Sequence, residues 1–265
     1  MNRGRYCYGK RKRYRYIIKT MNNIFLKRSP NFDERKRRQI KYIVIHYTNL
    51  LSTKASLKHL VSKKNKVSSH YLIDPRGKTY SLVEAKNIAW HAGISNWKKD
   101  KNLNKNSIGI ELQNTGLAGK YEKFSNRQIL SLVKLIKEIQ IKYRVSNSNI
   151  LGHSDIAPDR KIDPGPKFPW RKLYNRGIGI MPKLLESKST QNISPKQIKD
   201  LQILLKKFGY SLKINGFMDK QTLLVLYAFQ SHYCPSELKV KGNNLNLPRY
   251  LKELIRLQSR SLTVK

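Results

Sequence analysis

The chain has 265 residues, 39% of them hydrophobic, which is enough for one full domain and a small second one. Lysine and arginine number 55 against 16 acidic residues, a formal charge of +39, and a field of that size draws polyanions without selecting among them. No stretch reaches the roughly 18 apolar residues of a membrane span, and no apolar run near the N-terminus is long enough for a secretory leader, so the sequence displays no export signal.

Residues 1 to 20 hold eight lysines or arginines, four tyrosines and no acid. Such a segment cannot bury enough apolar surface to order itself and reads as a solvated, disordered arm. Basic residues interleaved with aromatics also suit stacking on bases, which makes nucleic acid the alternative partner of the arm. No helix-turn-helix, zinc-finger or RNA-recognition pattern accompanies the charge elsewhere. Arm and lead-in together are expected over 1 to 39. Cys7 and Cys234 lie far apart without metal-ligand spacing, and both read as thiols.

Lys41 to Thr48 is an apolar, β-branched run that reads as a buried strand, with His46 near the C-terminal end, where ligands of α/β sheets tend to sit. Ser52 to Lys64 places Leu57, Leu60 and Val61 at helical spacing. Ser69 to Asp74 and Lys78 to Val83 read as a hairpin about Pro75-Arg76-Gly77. Trp90-His91-Ala92-Gly93 follows in a loop. In Ser107 to Gln113, Ile108, Ile110 and Leu112 face one way and Gly109, Glu111 and Gln113 the other. Glu111 therefore shares its face with a glycine that leaves room for something to approach. Ser125 to Tyr143 is the main amphipathic helix, capped by Ser125, and Asn149 to His153 is a last short strand.

The strand delivers a run, Gly152 to Pro166, that Pro158, Pro164, Gly165 and Pro166 keep out of regular structure. A loop this stiff can aim His153 and Asp163 at one point. With His46 they make a set of two nitrogens and one oxygen that leaves a fourth position for water, the arrangement of a catalytic zinc. Asp155 and Asp159 compete with Asp163 as the oxygen donor. His59 and His232, on predicted helices without a partner, read as structural or solvated.

Five segments, IVIHYT at 43 to 48, SSHYLI at 68 to 73, AWHAGIS at 89 to 95, SIGIELQN at 107 to 114 and GHSDIAPDRKIDPGPKFPW at 152 to 170, together resemble the zinc-dependent N-acetylmuramoyl-L-alanine amidases of the type 2 family. The resemblance implies an α/β fold with a central mixed β-sheet flanked by helices, and one Zn2+ per catalytic domain over 40 to 180. It selects Asp163, through the DPG segment, as the third ligand beside His46 and His153. It gives Glu111 the role of general base and Lys161 that of oxyanion stabiliser, and it places Trp90, His91, His70 and Asn114 near the substrate. The substrate it implies is the muramoyl-L-alanine amide of peptidoglycan or of muropeptides. That substrate puts the protein in the cell envelope, periplasmic or secreted. The missing export signal favours instead a cytoplasmic enzyme restricted to anhydro-muropeptides, and a non-catalytic peptidoglycan-recognition protein is the rival outside enzyme chemistry.

Beyond a linker over 181 to 193, Ser194-Pro195-Lys196-Gln197 opens a helix with its cap, first-turn proline and capping-box glutamine in place. Asp219 and Pro248 begin two more. This block, 194 to 265, resembles the small three-helix peptidoglycan-binding domains through Leu201-Gln202, Phe208-Gly209-Tyr210, Asn215-Gly216, Thr222 and Ala228-Phe229-Gln230. Asn215 stands where those domains usually have an acidic residue.

Overall fold

A computed structural model describes residues 24–36, 39–119, 121–183, 194–239 and 247–263. The basic arm, Cys7 and nearly all of the expected linker lie outside the described residues.

The fold is built on the strand that the apolar run around His46 predicts. β3 (Tyr42–Tyr47) is buried at all six residues and pairs in parallel on one side with β9 (Ser107–Leu112) and on the other with β10 (Ile150–Gly152). β4 (Tyr71–Ile73) runs parallel to β9 and antiparallel to β5 (Thr79–Ser81), as the hairpin turn requires. β1 (Ile24–Leu26) adds to β5, so the sheet reads β1-β5-β4-β9-β3-β10 and is mixed. Two short ribbons flank it, β2 (Phe32–Glu34) with β6 (Asn87–Ala89) and β7 (Asn96–Trp97) with β8 (Asp100–Lys101).

Residues 24–36 supply β1 and β2 and so belong to the fold, in contrast to the expectation that 1 to 39 is arm and lead-in. Arg35 shows why: its guanidinium donates to the carbonyls of Ala85 (3.1 Å), Asn87 (2.9 Å), Lys105 (2.6 Å) and Ser107 (3.0 Å). Those partners are 50 to 72 residues away, beyond the reach of any local pattern.

Among the described residues the helices are α1 (Thr53–Val61), α2 (Asn126–Tyr143), α3 (His153–Ile156), α4 (Trp170–Tyr174), α5 (Pro195–Phe208), α6 (Lys220–Tyr233) and α7 (Leu247–Thr263). α2 buries Ile129, Leu132, Val133, Ile136 and Ile139, the i, i+3, i+4 stripe of a helix lying on a sheet. Ser125 Oγ accepts from Gln128 N at 3.1 Å, a cap worth about 1 kcal/mol. The Gln128 side chain donates to the carbonyls of Ile73 and Gln113 and so ties the helix to the ends of β4 and β9.

α5 begins with the expected capping box, Gln197 N to Ser194 Oγ and Ser194 N to Gln197 Oε1. The C-terminal helices share one continuous apolar core with the sheet. At the junction the fully buried Trp97 meets Phe208 and Tyr210 edge to face, at ring-centroid distances of 5.7 and 5.0 Å. Full burial of one such side chain contributes about 1.5–3 kcal/mol, against roughly 0–1 kcal/mol for an exposed ion pair. Apolar packing at this junction thus contributes more than an exposed ion pair would.

Candidate active site

Register fixes the first relationship. On one face of the sheet Tyr42, Val44 and His46 of β3 stand beside Ser107, Gly109 and Glu111 of β9. A Cβ at Gly109 would lie 2.3 Å from Cγ of His91, so the room expected beside Glu111 is filled by that ring.

The hydrogen bonds around His91 determine its tautomer. Ser107 Oγ donates to Leu103 O (2.6 Å) and so accepts from His91 Nε2 (3.1 Å). His91 Nδ1 must then accept from His46 Nε2 (3.0 Å). The consequence is that His46 Nδ1 carries a lone pair. His153 is set in the same way: its Nε2 donates to Ala92 O at 3.2 Å and leaves Nδ1 bare.

Asp163 reaches the same point because its loop folds back on β10. A Cβ at Gly152 would lie 2.8 Å from Pro164 Cδ, and Ser154 N donates to Asp163 O at 2.8 Å. Tyr121 Oη braces the far side by donating to Pro164 O at 2.7 Å.

The three donors form a nearly equilateral triangle. His46 Nδ1 to His153 Nδ1 is 3.0 Å, His46 Nδ1 to Asp163 Oδ2 is 3.1 Å, and His153 Nδ1 to Asp163 Oδ2 is 3.2 Å. All three side chains are buried. Tetrahedral coordination with bonds of about 2.0–2.1 Å places ligand atoms about 3.3 Å apart, so two imidazoles and a carboxylate at these separations fit a small divalent ion.

Electrostatics agree with that fit. Burial and the neighbouring His153 push His46 down to about 4, which keeps it neutral at physiological pH. Burial alone would raise Asp163, but His153 and His46 outweigh it and hold the carboxyl well below the usual range. Glu111 is pushed up to about 8, first by burial and then by the Asp163 charge. Its Oε2 is buried and makes no hydrogen bond among the described residues. A carboxyl whose Oε2 is buried and has no partner among the described residues, beside three metal-type donors, is placed for proton transfer.

The triangle opens on a cleft of about 440 Å3 lined by His46, His91, Glu111, His153, Lys161 and Asp163 among others. Of the four expected substrate contacts, only His91 borders this cleft, and its ring nitrogens are committed to His46 and Ser107. Trp90, which does not line the cleft, donates from Nε1 to Asp33 Oδ2 at 2.8 Å. His70 is fully buried, with Nδ1 accepting from Gly109 N (3.0 Å) and Nε2 on Asn87 O (3.2 Å), so it ties β9 to its neighbours. Asn114 donates to Glu122 O (3.0 Å) and accepts from Gly116 N (2.9 Å), which shapes the following loop.

The rival oxygen donors are engaged or remote. Asp155 points away from the triangle and accepts from Gly152 N, Tyr210 and His232, and Asp159 is exposed. His232, expected to have no partner, has Asp155 at 2.6 Å. His59 is exposed at the cleft mouth and bonds Asn65. No local pattern in the sequence marks Ser107, Tyr210 or the role of His91. The one available signal was the gap beside Glu111, which His91 occupies.

A profile of the N-acetylmuramoyl-L-alanine amidases matches residues 36–166, a span that contains the whole triangle, Glu111 and Lys161. N-acetylmuramoyl-L-alanine amidase AmiD of Escherichia coli is 38% identical over 216 residues, 75% of this chain and 76% of that protein. The chain belongs to this amidase family. The amidase is also similar to 1,6-anhydro-N-acetylmuramyl-L-alanine amidase AmpD of Haemophilus influenzae, 34% identical over 166 residues, 56% of this chain and 88% of that one. The solved structure of E. coli AmiD in complex with the substrate anhydro-N-acetylmuramic acid-L-Ala-D-gamma-Glu-L-Lys superposes with a TM-score of 0.72 at 33% identity. It covers 86% of this chain and 98% of that one, more than residues 1 to 193 alone could supply. The expected α/β fold with a mixed sheet is thus the family's fold, and the amidase is an amide hydrolase. No helix among its described residues is long and apolar enough to cross a membrane.

Proposed function

We propose that this amidase is a zinc enzyme that hydrolyses the bond between the lactyl carbonyl of N-acetylmuramic acid and L-alanine, in peptidoglycan and in its soluble fragments. The observation that carries the reading is the buried triangle of His46, His153 and Asp163, with sides of 3.0, 3.1 and 3.2 Å, beside the unpartnered Glu111 oxygen. Zinc held there supplies Lewis acidity and brings the pKa of water down to about 7.

The chain's own groups do the rest. Glu111 accepts a proton at Oε2 and returns it to the leaving alanine amine, so that one carboxyl serves as base and then as acid. Lys161, on the same cleft, places its ammonium against the carbonyl oxygen as charge develops there. Burial of both imidazoles excludes water from the far side of the donors.

The presence of the C-terminal helices favours a polymeric substrate and hence the cell envelope. The residues that carry the resemblance to peptidoglycan-binding domains are largely internal: Gln202 Nε2 donates to Asn215 Oδ1, Phe217 O and Thr222 Oγ1, each at 2.9 Å. Contact with wall polymer is therefore assigned to the block's outer surface, where Phe217 is 68% exposed.

The test is mass spectrometry of muropeptides after incubation with intact sacculi and, separately, with anhydro-N-acetylmuramyl-tripeptide. Stem peptides with a free L-alanine amine are expected from both, abolished by a chelator and restored by zinc. Release from the soluble fragment alone would move the protein to the cytoplasmic recycling class, and release from neither would end the reading.

A further inference from the structure

α3 is a single turn that presents His153 at its first position and Asp155 at its third. A turn that short has no stability of its own, and the strand that leads into it, β10, lies at the sheet edge and, among the described residues, pairs only with β3. What holds α3 comes from elsewhere. The fully buried Asp155 carboxylate accepts from Gly152 N (2.7 Å), from the Tyr210 hydroxyl (2.6 Å) and from His232 Nδ1 (2.6 Å). The first bond is local. The other two come from the C-terminal helical block, 55 and 77 residues along the chain.

His232 is itself immobilised, stacked between Trp170 at 3.6 Å and Tyr233 at 3.8 Å, and α6 packs directly on α3. The grip lands on the N–H just before a metal donor and on the carboxylate just after it.

We propose that the C-terminal helices are part of the scaffold of the metal centre: Tyr210 and His232 are positioning residues that, through Asp155 and Gly152, fix the direction in which His153 presents Nδ1. The block then has a role in metal binding that is independent of any affinity for the wall. The proposal rests on the reading of His46, His153 and Asp163 as a metal site. Hydrogen bonds that orient a metal-ligating side chain typically set metal affinity within a factor of about 10–100.

Zinc affinity of the full-length, metal-stripped protein is measured by competition with a chromophoric chelator, with circular dichroism at the same temperature to verify folding. Tyr210→Phe removes only the hydroxyl, and His232→Phe keeps the ring stack while removing the N–H. Each is expected to bind zinc about tenfold more weakly than the wild type. Gln202→Ala, whose amide bonds lie wholly within the C-terminal block, is expected to lower the melting temperature and leave zinc affinity unchanged. If either phenylalanine variant unfolds, the other decides. Wild-type affinity in the folded phenylalanine variants, or an equal loss in Gln202→Ala, overturns the proposal. A wild-type protein that binds no zinc overturns instead the metal reading beneath it.

Discussion

His46 and Glu111 are register partners on adjacent parallel strands, so a metal donor and a carboxyl whose buried Oε2 has no partner among the described residues stand side by side on one face of the sheet. Strand pairing sets their separation, which makes it insensitive to loop motion.

Glu111→Gln keeps the shape of the site and removes the proton acceptor. Turnover is expected to fall by about 10^2–10^4-fold while zinc is retained at one equivalent, read by metal analysis of the purified variant. Turnover near wild type would take Glu111 out of the mechanism.

The same carboxyl predicts a calorimetric signature. Pushed up to about 8 by burial and Asp163, Glu111 is largely protonated at pH 7 in the metal-free protein, whereas His46, pushed down to about 4, is neutral. A divalent cation beside it favours the carboxylate, so zinc binding at pH 7 should expel a proton from Glu111. Titrations in buffers of different ionisation enthalpy should show close to one proton fewer released by Glu111→Gln. Equal release in the two proteins would contradict this.

Gly109→Ala places a Cβ within 2.3 Å of the His91 ring. The ring must move, and with it the acceptor that holds His46 Nε2. The expected cost is about 1–3 kcal/mol of stability together with a 10–100-fold loss of zinc affinity, measured by denaturant melts and chelator competition. A melt shift without an affinity loss would free His46 from dependence on His91.

Stability should depend on pH through His70, which is not one of the metal donors. Burial, with Arg35 beside it, takes this imidazole from 6.5 down to about 3. The unfolded chain gains a proton near pH 6.5 and the folded chain does not until near pH 3. The contribution to stability is therefore complete above about 6.5 and lost as pH falls toward 3, at about 1.4 kcal/mol per pH unit. His70→Gln should show a shallower loss between pH 6 and 4 in denaturant melts. Parallel slopes for the two proteins would refute the assignment.

The amino-acid order by itself determined what depends on neighbours in the chain. The buried strand ending at His46, the hairpin at Pro75-Arg76-Gly77, the stripe of α2 and the capping box at Ser194 follow from periodicity and from side chains bonding the nearest backbone. So does the placement of Gly109 and Glu111 on one face of β9. Tertiary structure alone decided which atoms meet across long separations. It chose between Asp155 and Asp163, two carboxylates of one loop, by folding Pro164 against Gly152 and turning Asp155 toward Tyr210 and His232. It committed both ring nitrogens of His91, at the edge of the cleft, to His46 and Ser107, engaged His70, Trp90 and Asn114 in hydrogen bonds outside the cleft lining, and drew residues 24–36 into the sheet. Local pattern records which side of an element is apolar. Which buried polar atom satisfies which is settled only when the core closes, because each must find its partner among the groups that closure brings within about 3 Å.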